Sequence, residues 1–189
     1  MVITIESLNY KSEREKLATL RVIHAATKKF HRERGTSPHL PPMADQVKFI
    51  DEYERIQTFG FGNAFVAKEN GKIIGCLFSR ILRSPLLPLL SYVLHLRNLP
   101  PKVIAKLESG RHYLLDNMAV HPRFQRRGIG KALVEARVEH AKQLGCKSLC
   151  AVTTLDNDVQ LANFKKMGFF EIHREEKTPQ PVAYFIKKL

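Results

Sequence analysis

Tryptophan is absent from this chain, cysteine is scarce, and carboxylates are outnumbered. The three cysteines, Cys76, Cys146 and Cys150, are an odd count, which argues against a disulfide framework, and Cys146 and Cys150 are too isolated from further ligands to suggest zinc. Cys76 and Cys150 lie in apolar, strand-like runs and are expected as buried thiols rather than nucleophiles. No apolar run reaches the length of about 18 residues that a spanning helix needs. The segment Met1–Glu6 lacks the basic region and small-residue cleavage site of an export signal, which predicts a cytoplasmic location. Internal repeats and low-complexity linkers are also missing. With 189 residues, 44% of them hydrophobic and 26% charged, the chain reads as one domain over 1–189 with one core.

The shortage of acid leaves a net charge of +13, from 31 basic and 18 acidic side chains. The excess is +2 over residues 1–60, +5 over 61–120 and +6 over 121–189. Within 123–147, Arg123, Arg126, Arg127, Lys131, Arg137, Lys142 and Lys147 face only Glu135 and Glu139. Positive potential there attracts phosphorylated ligands. Nucleic acid is the rival partner for such a balance. The sequence argues against it, because it has no RNA-stacking aromatic motif and no basic recognition-helix pattern.

Periodicity and punctuation give the element order. Val2–Ile5 reads as a strand. Ser12, with Glu15 in a capping-box spacing, opens a helix running toward Arg34. A second helix is expected over Ala44–Thr58. Strands over Asn63–Lys68 and Lys72–Leu82 flank Asn70-Gly71, a strong hairpin signal. A helix follows Gly130, with Ile129, Leu133, Ala136 and His140 on one face, and ends at Gly145. Another strand covers about Ser148–Val152, and a further helix covers about Asp158–Met167 and closes at Gly168. Phe169–Ile172 and Ala183–Lys187 are the last strands.

The most informative stretch is Leu114–Lys131. An extended run ends at Pro122, and a basic, glycine-punctuated turn leads into a helix at about Gly128. Such a turn offers free backbone N–H groups, the positive end of a helix dipole and the cations Arg126 and Arg127, which suits a pyrophosphate. Glycine at 128 and 130 removes side chains that would stand between those amides and a phosphate. The Walker loop fails here, since Gly130-Lys131 is followed by Ala132 and position 125 is not glycine. The dinucleotide fingerprint fails as well, because its third small position is Leu133.

The run Met118–Leu133 resembles the acetyl-CoA motif of the GNAT superfamily of N-acetyltransferases. Gln125, Gly128 and Gly130 fill the positions of that family's Q/R-x-x-G-x-G/A pattern, after a hydrophobic strand ending near a proline. The similarity continues through Asn157, Phe164 and Gly168-Phe169. It implies an α/β fold with a mixed, mostly antiparallel central sheet flanked by helices, and acetyl-CoA as co-substrate. The implied acceptor is an amine on a small molecule or peptide. By the resemblance, backbone amides of Met118, Ala119 and Val120 bind pantetheine and polarise the thioester carbonyl, where the fourth strand splays from the fifth. Gln125, Arg126, Arg127, Gly128, Ile129, Gly130 and Lys131 hold the diphosphate.

Asn157 either hydrogen-bonds the pantetheine or caps the helix beside it. Phe164 stands where the family often has a tyrosine general acid; phenylalanine has no proton to give, although its ring can pack on pantetheine. Acetyl transfer to an amine needs a base, oxyanion stabilisation and a place for the thiolate's charge. Asp116 is the candidate base, expected by strand alternation on the same face as Met118 and Val120; an ion-pair role is the alternative. His112, Tyr113 and His121 are the other options. The apolar stretch 84–112, between the third and fourth strands, is expected as an insertion. It either packs on the body or in a homodimer interface, or forms a lid over the acceptor. The missing tyrosine leaves a second reading, a non-catalytic acyl-CoA-binding or regulatory domain.

Overall fold

A computed structural model of the chain describes residues 2–36, 47–48, 50–51, 54, 62–83, 100–107 and 110–189. Seven strands form one sheet in the order β1-β2-β3-β4-β5-β7-β6: β1 Ile3–Ser7, β2 Gly62–Glu69, β3 Lys72–Arg83, β4 Arg111–Val120, β5 Ser148–Thr154, β6 Phe170–Glu175 and β7 Val182–Lys188. The pairs β1/β2, β2/β3, β5/β7 and β6/β7 are antiparallel, whereas β4 and β5 are parallel. Helices with both ends among the described residues are α1 Glu13–Glu33, α2 Pro101–Ile104, α3 Ile129–Gln143 and α4 Asp158–Lys166. This is the mixed, mostly antiparallel α/β arrangement expected.

Local chemistry accounts for most element ends. Ser12 caps α1 by accepting from the Glu15 amide at 3.3 Å. Glu15 does not close the box on Ser12; its carboxylate accepts from the Asn9 amide at 3.2 Å and from Lys68 at 2.7 Å. Asn70 (φ 50°) and Gly71 (φ 73°) are both left-handed, the geometry of a two-residue hairpin turn, and set the register Glu69↔Lys72. Helix α3 ends in Gly145 (φ 66°), where the Cys146 amide reaches back to the Ala141 carbonyl at 2.9 Å.

The chain forms two compact units, one of residues 1–80 and 116–137, the other of residues 81–115 and 138–189. In the first, α1 buries Leu20 and Val22 against Ala64, Val66, Ile73, Cys76, Phe78 and Ala119. The start of α3 lies on β3, where a β-carbon at Gly75 would stand 3.0 Å from Ile129 and 3.3 Å from Leu133. In the second, Leu82, Val103 and Leu107 pack with Leu114, Cys150, Tyr184 and Ile186.

Three sequence expectations are met only in part by the described residues. Of the helix expected over Ala44–Thr58, residues 47, 48, 50, 51 and 54 are helical and the others lie outside the described residues. Of the 84–112 insertion, residues 84–99, 108 and 109 lie outside them, and Arg111 and His112 already belong to β4. The fully buried residues of α3 are Ile129, Leu133, Val134, Arg137 and Ala141, while Ala136 and His140 are half-buried. Among the described residues no helix is long and apolar enough to cross a membrane.

Candidate functional site

The site is built from the end of β4, the turn after it and the mouth of α3, all within the first unit. A 3-10 turn, Pro122–Phe124, follows the strand and is capped by His121, whose Nδ1 accepts from the Arg123 amide at 3.3 Å. His121 titrates below the usual histidine range, first because it is buried and then because Arg123 and Lys72 are positive neighbours. Its ring therefore stays neutral and keeps Nδ1 available as an acceptor.

Beyond Phe124 the backbone turns through Arg126 (φ 62°) and Gly128 (φ 78°), both left-handed. For arginine that conformation costs about 1–2 kcal/mol, so the surroundings impose it. A turn that sets left-handed residues among right-handed ones can aim successive N–H groups into a common hollow suited to an anion. The Gly128 carbonyl accepts the first bond of α3 from Ala132 at 3.0 Å, so the free amides of the first helical turn, from Ile129 onward, open there too. Apart from its own chain neighbours, no atom of the described residues lies within 4 Å of where a Gly128 β-carbon would be. Outside its own helix and chain neighbours, a β-carbon on Gly130 would meet Met118, at 3.7 Å, among the described residues.

The turn is braced from outside. Gln125 donates through Nε2 to the Val120 carbonyl at 3.1 Å and accepts on Oε1 from Lys29 of α1 at 2.5 Å. Arg127 pairs with Glu69, at the end of β2, at 2.6 Å. Lys131 points into solvent beside Glu135 at 3.5 Å, and the Arg126 side chain is exposed. Lys29 and Glu69 escaped the sequence reading: each is remote in sequence from the turn, and neither stands in a motif.

Asp116 does not stand where alternation predicts. It pairs with Arg80 of β3 at 2.5 Å, with side-chain exposures of 15% and 9%, while the Arg80 Nε is buried without a hydrogen-bond partner among the described residues. Positions 76, 78 and 80 share one face of β3. Ala119 packs in the cluster of Cys76 and Phe78, so Asp116 and Ala119 share a face although three residues apart. A regular strand puts such residues on opposite faces; alternation therefore breaks between them, as where a strand carries one extra residue. Met118, which lies against Gly130, is on the face opposite Asp116. The face shared by Asp116 and Met118 is thus corrected, and the carboxylate is in an ion pair.

Arg137 is corrected as well. Counted by sequence among the cations that attract phosphate, it is fully buried, its guanidinium 3.8 Å from the Phe65 ring centre and donating to the Asn63 and Leu77 carbonyls at 3.4 and 3.3 Å.

In the second unit, β4 pairs with β5 over His112–Leu115 and Ser148–Ala151. Asn157 caps α4, its Oδ1 accepting from the Gln160 amide at 3.2 Å. Phe164 is 4% exposed and packs on Phe169 and Phe185, with ring centres 5.2 and 5.3 Å apart. His112 is buried with Nδ1 2.8 Å from Ser148 Oγ, and the Tyr113 hydroxyl is 3.3 Å from His140 Nδ1. Burial pushes the Cys76 and Cys150 thiols up to about 12, which leaves them protonated and unreactive at neutral pH.

A family model described as the acetyltransferase (GNAT) family matches residues 24–169. The chain belongs to the GNAT acetyltransferase family. Acetyl transfer is the reaction this membership assigns in general terms. Solved structures carry the same fold. PaiA N-acetyltransferase from Thermoplasma acidophilum, in complex with coenzyme A, is 16% identical, with TM-score 0.67 and 100% of both chains covered. Ribosomal-protein-S18-alanine N-acetyltransferase from Escherichia coli is 17% identical, with TM-score 0.65, covering 99% of this chain and 94% of that one. A GNAT family acetyltransferase from Elizabethkingia anophelis, with acetyl-CoA bound, is 19% identical, with TM-score 0.61, covering 99% and 98%. Among curated proteins no sequence matches.

Proposed function

We propose that this GNAT acetyltransferase transfers the acetyl group of acetyl-CoA to a primary amine by direct attack in a ternary complex. One observation carries the donor half: the left-handed pair Arg126 and Gly128 at the mouth of α3, with open space where a Gly128 side chain would stand. An anion enters such a hollow without displacing protein atoms. In this reading the amides of Gly128, Ile129, Gly130 and Lys131 hold the diphosphate, and Arg126 and Arg127 add charge-assisted donors. Met118, Ala119 and Val120 act through main-chain groups, binding pantetheine and stabilising the oxyanion that develops at the thioester carbonyl.

Asp116 takes a proton from the acceptor's ammonium form, directly or through water, so that the neutral amine can attack, and Arg80 holds the carboxylate. Asn157 supplies its remaining amide group to the pantetheine, since its Oδ1 is committed to the cap. Phe164 contributes only apolar surface, so the departing thiolate takes its proton from solvent. The acceptor is an amine on a small molecule or a peptide.

The double substitution Gly128→Glu, Gly130→Glu tests the donor site. Acetyl-CoA binding by calorimetry should vanish while the melting transition persists; normal binding by that variant would remove the assignment. The burial of a phenylalanine at position 164 favours one second reading, an acyl-CoA-binding domain without turnover. Acetyl-CoA binding without thiol release across a broad amine panel would establish that reading instead.

A further inference from the structure

Lys29 stands outside every motif of the phosphate turn, sixteen residues past the start of α1, yet its ammonium lies 2.5 Å from Oε1 of Gln125, the first residue of that turn. An ammonium carries three donors. Gln125 takes one, and Glu33 of the next helical turn lies at 3.6 Å. The side chain is 33% exposed, so the charge is held at the surface by the turn and not buried beneath it. Gln125 in turn is tied to the Val120 carbonyl at 3.1 Å, so Lys29 is anchored to the strand end through a two-bond relay. The other cation braced from outside, Arg127, is met at 2.6 Å by the carboxylate of Glu69. Lys29 meets the turn through a neutral amide oxygen, which leaves its charge less compensated from that side.

From this geometry we infer that Lys29 is a further donor-binding residue: it supplies a positive charge from α1 to the diphosphate held by the Gln125–Gly130 turn. This deepens the donor-site reading and rests on it. The contact forms no covalent bond; the ammonium shares its donors between Gln125 and a phosphate oxygen. Its contribution is electrostatic, of the size of a partly exposed ion pair.

The experiment is calorimetric titration of the wild type, Lys29→Met, Lys29→Gln and Lys29→Arg with CoA and with dephospho-CoA, and competition of each with pantetheine. Lys29→Gln keeps a donor for Gln125 but no charge, so it separates charge from positioning and replaces Lys29→Met should the latter not fold. CoA and dephospho-CoA should each bind about fivefold more weakly to the Met and Gln variants, and within about twofold of wild type to Lys29→Arg. Pantetheine, which has no phosphate, should compete equally well with all four. The inference is overturned if Lys29→Gln binds CoA as the wild type does, if the loss disappears with dephospho-CoA, or if pantetheine weakens in parallel. Failure of the wild type to bind CoA at all would bring down the reading of the turn itself, and this inference with it.

Discussion

Arg80 and Asp116 form an ion pair at 2.5 Å between neighbouring strands, with side chains 9% and 15% exposed. Breaking such a pair from one side strands a charge in a poorly solvated place. Arg80→Met is therefore expected to lower unfolding free energy by about 3 kcal/mol, with Asp116→Leu added to it recovering much of the loss. Denaturant titration of the single and double variants checks this. Asp116→Asn should cut turnover severalfold or more with CoA affinity nearly constant; unchanged turnover would remove Asp116 as the base.

Glu69 presents a carboxylate to the same turn that is proposed to receive a diphosphate, through its 2.6 Å contact with Arg127. Glutamine at 69 can still accept from Arg127 but carries no charge to repel a phosphate. Glu69→Gln should bind CoA about two- to fivefold more tightly, the gain shrinking as salt is added. Weaker binding would mean that the carboxylate serves to orient Arg127 and that its charge is the lesser effect.

His121 titrates below the usual histidine range in the folded chain, so the unfolded state takes up more protons as the medium is acidified. Its contribution to stability is full above the unfolded value of about 6.5 and is lost as pH falls from there through the lower folded value. The wild type should therefore lose melting temperature as the pH falls below about 6.5, in a part that His121→Gln does not show. Equal pH slopes for the two proteins would contradict this role.

Much of the proposed donor site is legible in the chain because its determinants are local. Asn70-Gly71, Ser12 with Glu15, and Gly145 each decide a turn or a helix end through backbone conformation within a few residues. The stretch from Met118 to Lys131 is local in the same way: a strand, a left-handed turn and a helix mouth lie within one short run. The partners of that stretch were not legible. Lys29 meets Gln125 across 96 positions, and Arg127 meets Glu69 across 58. Arg137 reads as one more surface cation until Phe65 and the Asn63 and Leu77 carbonyls are seen around it.

The amino-acid order alone therefore determined the element boundaries near caps and turns, pointed to the GNAT acetyltransferase family, and marked the turn where a phosphate site is proposed. These depend on dihedral preferences and on hydrogen bonds that close over a few residues. Only the tertiary structure decided which side of β4 Asp116 occupies, that Arg80 meets it, and that Lys29 and Glu69 flank the turn with opposite charges. A one-residue break in strand alternation reverses every later side chain, and a charge pair between distant segments exists only once the chain has brought them together.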